Sequence, residues 1–149
     1  MSVVGDLLTG QELLTLTSSA TALEAARAMT ERRVGAVLVT DHRGNLKGIF
    51  TERDLMSRVV VRGLDPSRVA LESAMTAEVY SVSPGEKVAE VLAELSRRHI
   101  RHVPVVADGR VVGMLSLRDI LRADLEEMVS EVHALEGYFL GGDSHAHGR

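Results

Sequence analysis

The chain has 149 residues, 45% hydrophobic and 26% charged, with a net charge of −4, which suits one domain or two halves sharing a core. It has no cysteine, so disulfides, thiolate metal sites and cysteine nucleophiles are excluded. Seventeen basic against twenty-one acidic residues give no field for nucleic acid, four aromatics give no base-stacking platform, and the apolar runs are too short to span a membrane.

The N-terminal stretch lacks the basic and long apolar regions of a signal peptide, so a cytoplasmic protein is expected. A short lead-in strand precedes Thr21-Ala-Leu-Glu24, a capping-box pattern that opens a helix over residues 21–32, with Leu23, Ala26 and Met29 as its apolar periodicity. Residues 34–40 form a β-branched apolar run and read as a buried strand. A turn at Arg43-Gly44-Asn45 leads to a second strand over residues 46–50, then a second helix. Gly63-Leu-Asp-Pro66-Ser is punctuated as a linker.

The pattern then starts again. Pro84-Gly85-Glu86 opens a helix with Val88, Val91, Leu92 and Leu95 on one face, and strands at residues 102–106 and 110–115 flank an Asp108-Gly109 hairpin turn. GIFTERDL at residues 48–55 returns as GMLSLRDI at 113–120, displaced by 65. The helix and strand before it return displaced by 66, and Asp6-Leu-Leu-Thr9 pairs with Ser73-Ala-Met-Thr76 at 67. Drift confined to turns marks a duplication. Sixty residues of this pattern cannot close a core alone, but two copies can pack face to face.

No GxxxxGK[ST], GxSxG or HExxH pattern occurs, and no nucleophile–base pair is visible, so no enzyme and no catalytic cofactor are expected. His145-Ala-His147 lies in a polar tail, where disorder is a better reading than a metal site. More informative are the two strand-to-helix junctions, Thr51 with Asp54 and Ser116 with Asp119. Either pair is a helix-capping box, or a hydroxyl and a carboxylate set to hold a phosphate and a ribose at a helix N-terminus; both can hold in turn. In Arg97-Arg98-His99-Ile-Arg101-His102, the first two arginines suit a solvated helix end. Arg101 and His102 enter an apolar strand, where an anion would supply the partner that buried charge needs.

At these residues the chain resembles the tandem cystathionine-β-synthase (CBS) domain pair, or Bateman module. Both copies carry the glycine–apolar–apolar–[Ser/Thr]–x–Arg–Asp ending, and the second carries Ile-Arg-His-Val-Pro at residues 100–104. The resemblance implies an α/β (α+β) fold of two pseudo-twofold-related β-α-β-β-α repeats packed through their sheets. Repeat 1 then covers residues 1–62, a linker 63–70, repeat 2 71–123, a helical extension 124–142 and a disordered tail 143–149. It also implies clefts for AMP, ADP, ATP or S-adenosylmethionine. Asp54 and Asp119 would hold ribose, Thr51 and Ser116 would meet phosphate, and Arg101 and His102 would add phosphate contacts. Arg53 and Arg118 complete the motif and equally suit surface ion pairs. With few aromatics, adenine would lie among Val37, Ile49 and Val103.

The copies are unequal: Gly35-Ala36-Val37-Leu38 stands where the second has Arg101-His102-Val103-Pro104, so the Asp119 cleft is expected to favour phosphorylated ligands. Beyond the repeat, Leu121, Leu125, Met128, Val132, Leu135 and Phe139 recur at heptad-like spacings until Gly141-Gly142. That stripe is either a helix folded on its own core or a dimer contact, and the family's pairing of modules favours a homodimer. With the repeat filling the chain, any regulated effector would act in trans. A ligand-independent dimerisation scaffold is the alternative.

Overall fold

The computed structural model describes residues 2–8, 10 and 12–146, with side chains described as far as residue 138. The first half carries β1 (Thr15–Thr17), α1 (Ala22–Arg32), β2 (Ala36–Thr40), β3 (Leu46–Thr51) and α2 (Glu52–Asp54), which continues as a π-helical turn, Leu55–Val60. After a short α3 (Leu71–Ala74), the second half repeats the plan with α4 (Val88–Arg98), β4 (His102–Ala107), β5 (Arg110–Ser116) and α5 (Leu117–Ala146).

Local chemistry fixes these elements. Thr21 and Glu24 cap α1 reciprocally, at 3.1 and 3.0 Å. Asp41 accepts from the backbone of Arg43 and Asn45 to close the first turn, and Asp108 and Gly109 both adopt positive φ in the second. The buried face of α1 is Ala22, Ala25 and Met29, with the expected Leu23 and Ala26 only at its margin. In α4, Val88, Val91 and Leu95 point inward, as their spacing predicts.

β1 runs parallel to β2, which pairs antiparallel with β3. β4 and β5 form the equivalent hairpin, and the counterpart of β1 is reduced to a parallel bridge between Val82 and Val105. The register shifts at Val39/Thr40 and at Val105/Val106, equivalent positions in the two copies. Each sheet covers its own helix on one face. On the other, Ala36, Leu38 and Ile49 of the first half meet Val79, Val111 and Met114 of the second.

The unit of packing is not the unit of repetition. Val4 is fully buried among Val82, Val88, Leu95 and Ile120 of the second half, while Leu71 and Ala74 are buried among Ala25, Val37 and Phe50 of the first. Each copy therefore lends its lead-in to the other. Backbone bridges fix both crossings at equivalent positions, Val3 with Lys87 and Thr21 with Ala70. Glycine is required where the lent segments cross: a Cβ on Gly48 would stand 2.6 Å from Met75 Sδ and 2.8 Å from the Thr76 carbonyl, and one on Gly113 would strike Leu8.

α5 is one 30-residue helix that passes through Gly137, Gly141 and Gly142. Glycine lowers helix stability by about 1 kcal/mol against alanine but leaves the hydrogen-bond ladder intact, so these glycines do not end it. Residues 143–146, expected to be disordered, are helical, whereas His147 and the two residues after it lie outside the described residues.

Candidate functional site

Both strand-to-helix junctions form the same closed ring. Thr51 N donates to Asp54 Oδ2 at 3.0 Å and Asp54 N donates to Thr51 Oγ1 at 3.2 Å; Ser116 and Asp119 do the same at 3.1 Å each. The capping box is therefore present twice. What surrounds the two carboxylates differs.

Asp54 is buried, and its second oxygen, Oδ1, faces Arg58 Nε at 3.9 Å. The same guanidinium donates to the carbonyls of Ala74 and Met75, at 3.1 and 2.7 Å, where α3 ends. A cation at those orphaned helix-end carbonyls is favourable, so Arg58 ties the first carboxylate to the segment lent by the second copy. The residue equivalent to Arg58 is Ala123. Among the described residues Asp119 Oδ1 has no hydrogen-bond partner.

A cleft of about 1070 Å³ opens beside Asp119, at the upper end of the range for small-molecule sites. Ser116, Arg118, Asp119, Arg101 and His102 of the second half line it together. Across from them stand Arg32, Arg33, Gly35 and Glu52 of the first half. Leu14, Val34 and Met114 supply apolar wall. The carboxylates of Glu12, Glu52 and Asp119 and four guanidinium groups line the same cavity, with Arg32 facing Glu12 at 3.9 Å, a distribution suited to a ligand with hydroxyls and an anionic group. Gly35 keeps the halves close, since a Cβ there would stand 3.0 Å from Glu52 Oε1 and 3.1 Å from His102 Cε1.

His102 is half-buried in this wall. Desolvation pushes its imidazole below the ordinary histidine range, against the opposing pull of Glu52 and Asp119, and Arg101 adds to the lowering. Arg97 and Arg98 are occupied elsewhere: both bind Glu94, whose carboxyl they hold down to about 2, and Arg98 stacks 4.2 Å over the Tyr80 ring. They are a solvated helix end, as their position suggests.

Thr51, Arg53 and Asp54, expected at a separate cleft of the first copy, do not line this one, and Arg53 donates to the His99 carbonyl at 3.4 Å. Val37 and Val103, expected beside adenine, do not line this cleft. Each packs under the helices of its own half, because side chains alternate along a strand and theirs point to that face. Ile49 lies in the contact between the two sheets. Sequence reading missed Glu52, Arg32, Arg33 and Arg58. Comparing the copies by position exposes two of these, since Glu52 aligns with Leu117 and Arg58 with Ala123.

A family model described as the CBS domain matches the chain twice, over residues 4–61 and 71–126. The chain belongs to the CBS domain family, and its fold is a pair of such repeats. It is 33% identical over 130 residues to the CBS domain-containing protein CBSX3, mitochondrial, of Arabidopsis thaliana, covering 85% of this chain and 63% of that one. Against the curated relatives the chain spans between 63% and about a fifth of their length. The CBS-domain containing protein ATU1752 of Agrobacterium tumefaciens superposes with a TM-score of 0.78 at 33% identity, over 83% of this chain and 99% of that one. The CBS domain pair of protein MJ0100, solved with 5′-methylthioadenosine and S-adenosylmethionine, superposes with a TM-score of 0.76 at 28% identity, over 85% and 98%. Among the described residues, no helix is long and apolar enough to cross a membrane.

Proposed function

We propose that this CBS pair is a regulatory module that binds one adenosine ligand, AMP, ADP, ATP or S-adenosylmethionine, in the Asp119 cleft and passes its occupancy to a cytoplasmic partner protein in trans. One observation carries the reading: Asp119 Oδ1, the Ser116 hydroxyl, Arg101, Arg118 and His102 converge on one cleft whose opposite wall adds Arg32 and Arg33. Asp119 would take the ribose hydroxyls, Ser116 and the start of α5 a phosphate oxygen, and the arginines the remaining charge. The complex of MJ0100 with two adenosine compounds supports this ligand class. The chain acts by binding rather than by turnover in this reading.

Thermal unfolding with and without ligand tests it. A ligand bound only by the folded state, at 100 times its dissociation constant, adds about 2.7 kcal/mol, and each kcal/mol moves the midpoint of a chain this size by about 2–4 °C. Saturating nucleotide should therefore raise the wild-type midpoint by roughly 5–11 °C. Asp119→Asn should keep the unliganded midpoint nearly unchanged and lose most of that shift. The closed Ser116–Asp119 ring favours a second reading, a ligand-independent scaffold. It requires the reverse: Asp119→Asn lowers the unliganded midpoint and none of the four ligands moves wild type.

A further inference from the structure

Leu121, Leu125, Met128, Val132 and Leu135 are each about half or more exposed, although they fall on one face of α5 at spacings of 4, 3, 4 and 3. The face that packs against the chain's own body is a different one. Ile120 is buried in the second core, and Ser2 N donates to Glu127 Oε1 at 3.3 Å. Every residue from Met128 to Tyr138 is exposed. The stripe is therefore not the chain's own core, and a contiguous apolar face of this kind marks an interaction surface. Met128, Val132 and Leu135 lie beyond residue 126, where the match to the repeated domain ends.

The flanking charges choose the occupant. With Leu125 and Val132 at one heptad position and Leu121, Met128 and Leu135 at the other, Arg122, Val129 and Glu136 flank the seam on one side, and Asp124, Glu131 and Tyr138 on the other. A parallel pair would set Glu131 against Glu136 of the second copy, twice, and leave Arg122 facing Leu117. An antiparallel pair joins like flanks. Centred near Ser130, it stacks Leu125 on Leu135 and Met128 on Val132, brings Arg122 to Glu136 twice, and seats Val129 on its own copy. One Glu131–Glu131 meeting opposes these gains.

We propose that α5 pairs with α5 of a second copy of this chain as an antiparallel two-helix contact centred near Ser130. This pairing does not depend on the ligand reading. The two bodies then sit at opposite ends of the helix pair, because each is attached along the N-terminal half of its own α5.

Sedimentation equilibrium of the full chain at micromolar concentration should show a dimer; a monomer overturns the proposal. Glu136→Arg separates the orientations by sign. It should weaken the dimer roughly threefold or more in an antiparallel pair, where it faces Arg122, and strengthen a parallel one, where it faces Glu131. Adding Arg122→Glu to Glu136→Arg should restore the wild-type constant. The absence of native cysteine gives a second readout. Under oxidation Val129→Cys should form a disulfide-linked dimer and Leu125→Cys should not. Cross-linking at Leu125 and not at Val129, or a tighter Glu136→Arg dimer, would overturn the antiparallel assignment. Leu125→Glu with Val132→Glu should give a folded monomer by circular dichroism, and an unfolded chain would return the stripe to the protein's own core.

Discussion

The two copies of one motif sit in different surroundings. At the first junction Asp54 is buried, and Arg58 binds both its free oxygen and the carbonyls that end α3. At the second, the same carboxylate keeps Oδ1 open beside a cleft lined by arginines. The backbone ring is identical in both, so the motif alone decides nothing. The difference comes from position 58 against 123, arginine against alanine, and from Gly35-Ala36 against Arg101-His102. A duplicated junction can thus keep its scaffold in both halves while being filled internally in only one.

The largest effect should come from moving the clamp. Ala123→Arg puts a guanidinium four residues after Asp119, in reach of the carboxylate that the ligand would use. Nucleotide affinity, measured by calorimetry, should fall by roughly tenfold or more, the order of a lost charge-assisted contact. Unaltered affinity would show that Asp119 Oδ1 is not a ligand contact.

The converse substitution tests the other half of the contrast. Arg58→Ala removes two bonds to backbone carbonyls and leaves Asp54 buried without its cation. Because the arginine is about one-third exposed, solvent screening reduces the loss. An unfolding cost of about 1–3 kcal/mol, or about 2–12 °C in midpoint, is expected. If the clamp is what closes the first junction, calorimetry on this variant should also reveal a second, weaker binding event. An unchanged midpoint would mean that the ion pair holds nothing.

The smallest effect concerns His102. Its ionisation is depressed by burial in the folded chain, so the unfolded state binds more protons between the two values. Its contribution to stability is complete above the unfolded value, near 6.5, and is lost as pH falls through the lower folded value. An NMR titration should find the free protein's His102 below its ordinary range. Saturating AMP should raise it, since phosphate favours the imidazolium, while adenosine should leave it nearly unmoved. Equal responses to both would place His102 away from the phosphate.

Much of this was legible in the sequence because it is local. The duplication, both capping boxes, the Asp108-Gly109 turn and the second-copy group of Ser116, Asp119, Arg101 and His102 depend on short spacings, and the structure brings that group together. Which way the side chains of β2 and β4 point was hidden. All five residues of β2 are buried, so no polar alternation marks its sides, and Val37 and Val103 point to the cores of their own halves. The exchange of lead-ins was hidden for another reason: it rests on contacts such as Val4 with Val88, far apart in the chain, which no window of local pattern can register.

That exchange also sets an order on synthesis. The first half takes Leu71 and Ala74 from just beyond itself, so its core can close soon after residue 76 emerges from a ribosome. The second half needs Val4, made well before it, and must wait for Ile120 before that side chain is covered. The segment around Val4 is thus left uncovered until both repeats have been made. It then joins a core that is completed only by the second repeat, so segments made far apart in time are closed onto one another.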